Sequence, residues 1–257
     1  MGTPRDDLIK FDSYIICTSP RSGSTLLCKL LAATGVAGNP ASYFHEPLVA
    51  SWASELGIVP EPWWGERETL AGVFRAAIAE GNGGTDVSGI RLQRHSFNFF
   101  HEKLALLYPG EHADLARLRR AFGSTLFIHL RRRDKVEQAV SYLKAHQTGL
   151  WHVALDGSEL ERLAPPGEPV YDADELRKHV ETMTGYDRDW NAWFQREGIE
   201  PMCVDYDALA AAPVRTVKEI LGRLGRDRAA ADGIVPGVRK LADSESRDWV
   251  ARYRSEC

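Results

Sequence analysis

Residues 13–35, SYIICTSPRSGSTLLCKLLAATG, decide the fold of this chain. Residues 14–18 form a β-branched and aromatic run that is typical of a buried parallel strand. A polar loop follows, and leucines then recur at helical spacing up to Gly35, which suits the position just after a helix C-terminus. The order of strand, polar loop and helix predicts a single-domain α/β protein of P-loop-like fold, with a mainly parallel sheet flanked by helices.

The loop between this strand and helix is predicted to bind an anion. The first N–H groups of the helix point into a loop of small residues that includes Gly23, and the hydroxyls of Ser22, Ser24 and Thr25 lie beside them. Arg21 adds a planar guanidinium that can bind an oxyanion through two hydrogen bonds. An ordinary strand-turn-helix connection is the alternative. The Gly-Lys-[Ser/Thr] of nucleoside triphosphatase P-loops is missing.

Length and charge limit the functions that the chain can have. Its 257 residues, 44% of them hydrophobic, suffice for one large domain over residues 1–257 with a full core. The net charge of −4 gives no general attraction to nucleic acid, so we expect no nucleic-acid partner. No signal peptide and no apolar run of the ~20 residues needed to cross a bilayer is present. We therefore expect a cytoplasmic protein without a transmembrane segment.

The cysteines do not form a ligand or disulfide pattern. None of the four is in a C-x-x-C spacing, which favours buried free thiols in a reducing compartment. We also find no cluster with metal-ligand spacing and expect no metal cofactor. The four are Cys17, Cys28, Cys203 and Cys257.

A second anion site is predicted after the next clear core strand, at residues 124–130. This strand leads into residues 131–133, three consecutive arginines, and then into Asp134, a good helix N-cap with Glu137 three residues on. Because parallel strands end at the same sheet edge, the arginines should lie beside the first loop.

The remaining elements surround these two sites. Arg91 falls at the end of a predicted strand over residues 87–92, either as a supporting cation or in an ion pair. Asp174 is expected to cap a long helix over residues 174–197, and residues 156–169 to form a loop or lid. Further elements are a strand over residues 201–206 and helices over residues 69–80, 96–108, 113–121 and 214–224.

Several aromatic side chains in irregular segments have two possible roles. They could stack on an acceptor molecule, or they could pack in the core. They are Tyr43, Phe44, Trp52, Trp63 and Trp64.

Residues 20–27, PRSGSTLL, resemble the 5′-phosphosulfate loop of sulfotransferases that use 3′-phosphoadenosine 5′-phosphosulfate (PAPS). Together with residues 33–38, ATGVAG, and the segment from Arg132 to Trp151, they resemble the Stf0 family more narrowly. The resemblance implies transfer of a sulfuryl group from PAPS to a hydroxyl of a sugar, a glycolipid or another small molecule, with 3′-phosphoadenosine 5′-phosphate (PAP) as product. It also implies a possible homodimer.

The resemblance assigns roles to particular residues. Residues 21–25 would bind the 5′-phosphosulfate, and Arg21 would stabilise the charge that develops on the leaving phosphate. Arg132 and Ser141, nine residues apart, would hold the 3′-phosphate.

The general base is the point at which the chain departs from the family. In the family a Glu within Pro-x-Glu-Phe-Phe is understood to take the acceptor proton, and this chain has Ser42 at that position. Glu46 and His45 are the nearest substitutes, with Glu46 slightly favoured.

Two other functions stay open at this point. One is a small-molecule kinase with a divergent P-loop, which the missing Gly-Lys disfavours. The other is a non-catalytic module that binds PAP or PAPS, which the serine at position 42 would suit.

Overall fold

A computed structural model describes residues 10–154, 156–237 and 243–256. Its centre is a four-stranded parallel sheet in the order β2-β1-β3-β6. This confirms the predicted α/β class with a mainly parallel sheet. The strands are β1 (Ser13–Thr18), β2 (Ser88–Gln93), β3 (Thr125–Arg131) and β6 (Met202–Asp205), and an antiparallel hairpin is formed by β4 (Leu150–Val153) and β5 (Glu159–Arg162).

Helices flank the sheet on both faces, as the continuous apolar sequence of β1 requires. They are α1 (Ser24–Ala33), α2 (Val49–Glu55), α3 (Glu66–Asn82), α4 (Arg94–Leu107), α5 (Asp114–Phe122), α6 (Lys135–Thr148), α7 (Ala173–Glu197), α8 (Tyr206–Ala211), α9 (Pro213–Arg223) and α10 (Ser244–Glu256), with a 3₁₀ turn at Arg228–Ala231. Over the described ranges, no helix is long and apolar enough to cross a membrane.

One core layer lies on each face of the sheet, and a third cluster joins α6, α7 and α10. Ile15 packs on one face with Phe44 and Trp52, while Ile16 packs on the other with side chains of α1 and α9. Phe44 and Trp52 are almost fully buried, so these two aromatic residues belong to the core, whereas Trp63 is 77% exposed.

Three local expectations are wrong. The cap of α7 is Asp172, whose carboxylate accepts hydrogen bonds from the amides of Asp174 and Glu175, so Asp174 lies inside the helix. Cys203 is exposed, because it lies on the edge strand β6, while Cys17 and Cys28 are buried free thiols as expected. The segment 156–169, expected to be a loop, contains β5. Cys257 lies outside the described residues.

Candidate active site

The loop between β1 and α1 is held in a tight left-handed conformation. Gly23 has φ +83°, and a Cβ atom there would lie 2.4 Å from the ring of Tyr206, so both the backbone angle and the space require glycine. Arg21 has φ +61°, the one positive φ outside glycine in the described part of the chain. This unfavourable angle aims the Arg21 side chain away from α1 and toward α6.

The N-terminus of α1 opens into this loop with free amides. The first hydrogen bond at this end runs from the Leu27 amide to the Gly23 carbonyl at 3.1 Å, which leaves the amides of Ser24, Thr25 and Leu26 without an acceptor inside the helix. The first turn contains no acidic residue and no side-chain cap. The positive end of the helix dipole is therefore available to an anion.

The hydroxyls of the loop have different roles. Ser22 is buried, and its Oγ lies 2.5 Å from Thr18 Oγ1 and donates to the Ser19 carbonyl at 2.8 Å. Its side chain therefore holds the loop together, and it is not among the residues that line the cavity described below. Ser24 and Thr25 instead face the guanidinium of Arg91.

Two guanidinium groups meet at this loop with neutral partners. Arg21 donates to Ser141 Oγ at 3.0 Å and to the Trp151 carbonyl at 2.5 Å, and Arg91 donates to Ser42 Oγ at 2.6 Å and to Thr25 Oγ1 at 2.9 Å. Among the described residues, neither forms an ion pair with a carboxylate. Burial and the charge of Arg132 lower the pKa of Arg21 to about 10. An anionic ligand would compensate both cations.

Arg132 forms the second cationic group of the same site. It is 5% exposed, donates to Glu137 Oε2 at 2.6 Å, and lies 4.7 Å from the centre of the Tyr206 ring. Its buried Nε has no hydrogen-bond partner within the described residues, and a buried donor of this kind calls for an acceptor. Ser141 is hydrogen-bonded to Arg21 rather than to Arg132.

The two neighbouring arginines are used differently. Arg131 and Arg133 both pair with Asp205, at 2.9 and 2.6 Å, and the side chain of Arg133 is 69% exposed. They hold β3 and its following turn against the end of β6, and neither lines the cavity. Arg132 is therefore the member of the triplet that faces the cavity.

The two candidate bases differ in where they lie. His45 lines the cavity and makes an edge-to-face contact with His95, with the ring centres 5.1 Å apart. Partial burial and the nearby charge of Arg91 lower the pKa of His45. Both side chains are exposed, but Glu46 does not line the cavity, and its backbone carbonyl accepts a hydrogen bond from Trp52 Nε1.

The β4–β5 hairpin brings a further histidine to the loop that the sequence did not indicate. His152 Nε2 lies 3.0 Å from Thr25 Oγ1 and 3.4 Å from Glu161 Oε2. Burial, together with the charges of Arg21 and Arg91, lowers the pKa of His152 to about 4. His152 is separated from Thr25 by 127 residues, and no local pattern announces this contact.

Arg21, Arg91 and Arg132, with His45 and His152, face one cavity of about 1750 Å³. Typical small-molecule sites occupy about 300–1,000 Å³, so this cavity has room for two substrates. Within the described ranges, no group of three or more His, Cys, Asp or Glu side chains is placed to hold a metal ion. Seven predicted site residues line the cavity, namely Arg21, Gly23, Ser24, Thr25, His45, Arg132 and Ser141.

Comparison with known proteins finds one family over nearly the whole chain. The sequence model described as Stf0 sulphotransferase matches residues 13–256. Two relatives named trehalose 2-sulfotransferase are similar to this chain. The one from Mycobacterium tuberculosis is 28% identical, and the match covers 95% of this chain and 94% of the relative. The one from Mycolicibacterium smegmatis is 29% identical, and the match covers 95% of both chains. A solved sulfotransferase from Alicyclobacillus acidocaldarius has a TM-score of 0.43 at 13% identity, covering 95% of this chain and 91% of that chain.

Proposed function

The chain belongs to the Stf0 sulphotransferase family, and on that premise we propose that it transfers the sulfuryl group of PAPS to a hydroxyl of a sugar or glycolipid. The observation that carries the proposal is the convergence of Arg21, Arg91 and Arg132 on one cavity, the first two without a carboxylate partner among the described residues. PAPS carries a phosphosulfate at one end and a phosphate at the other, which suits two separate cationic groups.

The residues present fit such a donor. The amides of Ser24, Thr25 and Leu26, with Arg21, would hold the 5′-phosphosulfate at the N-terminus of α1. The guanidinium of Arg132, which lines the cavity, would bind the 3′-phosphate, and Ser141 accepts a hydrogen bond from Arg21 at the same cavity. Sulfuryl transfer requires mainly positioning and charge neutralisation, and both are supplied by groups already held in place.

His45 is the base that the geometry favours. It lines the cavity, and burial together with the charge of Arg91 lowers its pKa, which favours the neutral ring that can accept the proton of the acceptor hydroxyl. Glu46, slightly favoured from the sequence, does not line the cavity. Arg21 would stabilise the negative charge that develops on the leaving phosphate.

A sugar acceptor is proposed because both relatives are named for sulfation of trehalose. Ser42 stands where the family resemblance places the base, so the acceptor of this chain need not be trehalose itself. A homodimer and a cytoplasmic location stay predictions from the sequence and the family resemblance.

Calorimetric titration with PAP, beside ATP plus magnesium, tests the donor. We expect tight PAP binding that does not depend on a metal, together with little response to ATP. Preference for ATP and magnesium would refute the proposal and support the kinase alternative. Tight PAP binding without sulfation of any acceptor in a sugar panel would favour the non-catalytic binding module.

A further inference from the structure

We propose that the acceptor is held by an aromatic surface between α6 and α7, formed by Tyr142, Trp151, His179 and Tyr186, on which a sugar ring stacks. This proposal deepens the proposed function and rests on it, since it names the part of the cavity that takes the acceptor. All four side chains line the cavity, and they come from three different elements, α6, β4 and α7.

Three of the four rings contact one another, and Tyr186 lines the same cavity from α7. Tyr142 lies at the centre, with ring-centre distances of 5.6 Å to Trp151 and 4.8 Å to His179, both edge-to-face. All four side chains are partly exposed, and none belongs to the hydrophobic clusters that pack the sheet. Aromatic rings left at a cavity wall rather than in the core indicate a binding role.

The polar ends of these rings are available for hydrogen bonding. No partner is found among the described residues for Tyr142 Oη, Tyr186 Oη or Trp151 Nε1, whereas Tyr14, Tyr43, Trp52, Trp190 and Trp193 all donate to an acceptor. A sugar ring offers apolar C–H faces for stacking and hydroxyls on its rim. It therefore matches flat rings with free donors at their edges.

The aromatic surface also adjoins the reacting groups. The Trp151 ring lies 5.9 Å from the Arg21 guanidinium, and the next residue, His152, contacts Thr25 of the anion-binding loop. Tyr142 directly follows Ser141, the partner of Arg21 Nε. A ring stacked here could present a hydroxyl to the groups around Arg21.

The nucleoside of the donor is assigned to a different part of the cavity. Arg132 lies over Tyr206, and the Tyr206 ring packs against Gly23, so the donor groups cluster on the β3–β6 side of the loop. Tyr142 contacts His146 and His179 instead, toward α7. The aromatic surface therefore remains for the acceptor.

The test measures sugar and nucleotide binding separately on the full chain. Saturation-transfer difference NMR with trehalose, maltose and methyl α-glucoside, in the presence of PAP, should show contact of the sugar ring protons with the protein. Tyr142→Ala should weaken binding of the sugars by about tenfold, because it removes the central ring on which the sugar stacks. Tyr142→Phe, which keeps the ring, should lose about threefold or less.

Two controls accompany these variants. Trp63→Ala removes a ring that is 77% exposed and does not line the cavity, and should leave sugar binding unchanged. PAP titration of Tyr142→Ala shows that the variant is folded and should give the wild-type affinity to within about twofold. If Tyr142→Ala is unfolded, sugar binding is measured on Trp151→Phe instead. This variant replaces the indole by a smaller ring, so it should bind the sugars more weakly than wild type.

Three results would overturn the inference. The first is that the wild-type protein binds none of the three sugars. The second is that wild type and Tyr142→Ala bind the sugars equally well. The third is that Tyr142→Ala loses PAP affinity but keeps sugar binding, which would place the nucleoside on these rings. Failure of the proposed function is distinguishable, because wild-type protein would then not bind PAP, whatever its response to sugars.

Discussion

Replacement of Arg132 by alanine should weaken PAP binding strongly. Arg132 is 5% exposed and lines the cavity, and its Nε has no hydrogen-bond partner among the described residues, so a phosphate there would gain hydrogen bonds from its guanidinium. Hydrogen bonds to charged groups contribute about 1.5–3 kcal/mol each. Two such bonds, less the partial loss of the Arg132–Glu137 pair, amount to about 3 kcal/mol, or roughly 150-fold in dissociation constant.

Arg133→Ala is the matched control for this experiment. Arg133 is the adjacent arginine, but its side chain is 69% exposed and is paired with Asp205, so its removal should change PAP affinity by about threefold or less. Both variants lose one positive charge, so long-range electrostatics alone would affect them equally. Isothermal calorimetry with PAP at two salt concentrations measures the difference. Equal affinities for Arg132→Ala and wild type, or equal losses for the two variants, would refute the assignment of the 3′-phosphate to Arg132.

Three further predictions concern turnover and stability. Arg21→Ala should lower kcat about 10²–10³-fold with a smaller effect on PAP affinity, and Arg21→Gly, which suits φ +61°, should lose as much if the guanidinium and not the backbone is responsible. His45→Asn should lower kcat by about 10²-fold or more, while Glu46→Gln should stay within about threefold; the reverse order would return the role to Glu46. Burial lowers the pKa of His129 to about 4 from its ordinary 6.5, so the unfolded chain binds the extra proton and stability should fall by up to about 3 kcal/mol as pH drops from 6.5 to 4. Urea unfolding of His129→Leu should show a correspondingly weaker pH dependence, and an unchanged dependence would exclude His129 as its source.

The elements that the sequence predicted well are those with a local cause. The β1–loop–α1 unit follows from an apolar run, small polar residues and a leucine pattern, and Gly35 indeed takes a left-handed φ just after α1. Asp134 caps α6 as predicted, accepting from the Glu137 amide at 2.9 Å. Because both anion-binding segments are strand-to-helix turns of a parallel sheet, their meeting at one edge could also be foreseen.

The parts that were missed depend on contacts between distant segments. The β4–β5 hairpin has a glycine and several charged residues between and within its strands and no clear alternation, and its pairing is irregular, with register shifts on both sides of His152. Trp52 lies on a helix of seven residues, too short for a clear period, and its burial comes from Phe44 and Phe99. The position of His152 beside Thr25, and the exposure of Cys203 on an edge strand, likewise follow only from the assembled fold.

Ser42 links the charge of the site to the choice of base. Its Oγ lies 2.6 Å from Arg91 Nε, so a carboxylate at this position would form an ion pair with Arg91. Such a pair would compensate the positive charge that faces Ser24 and Thr25. With serine, Arg91 keeps its positive charge for an anion at the loop. Burial, with the same charge, lowers the pKa of His45, three residues further on, and so favours the neutral imidazole that a proton acceptor requires. Serine at position 42 and His45 in the cavity therefore fit a single site, in which Arg91 faces the anion and His45 takes the acceptor proton.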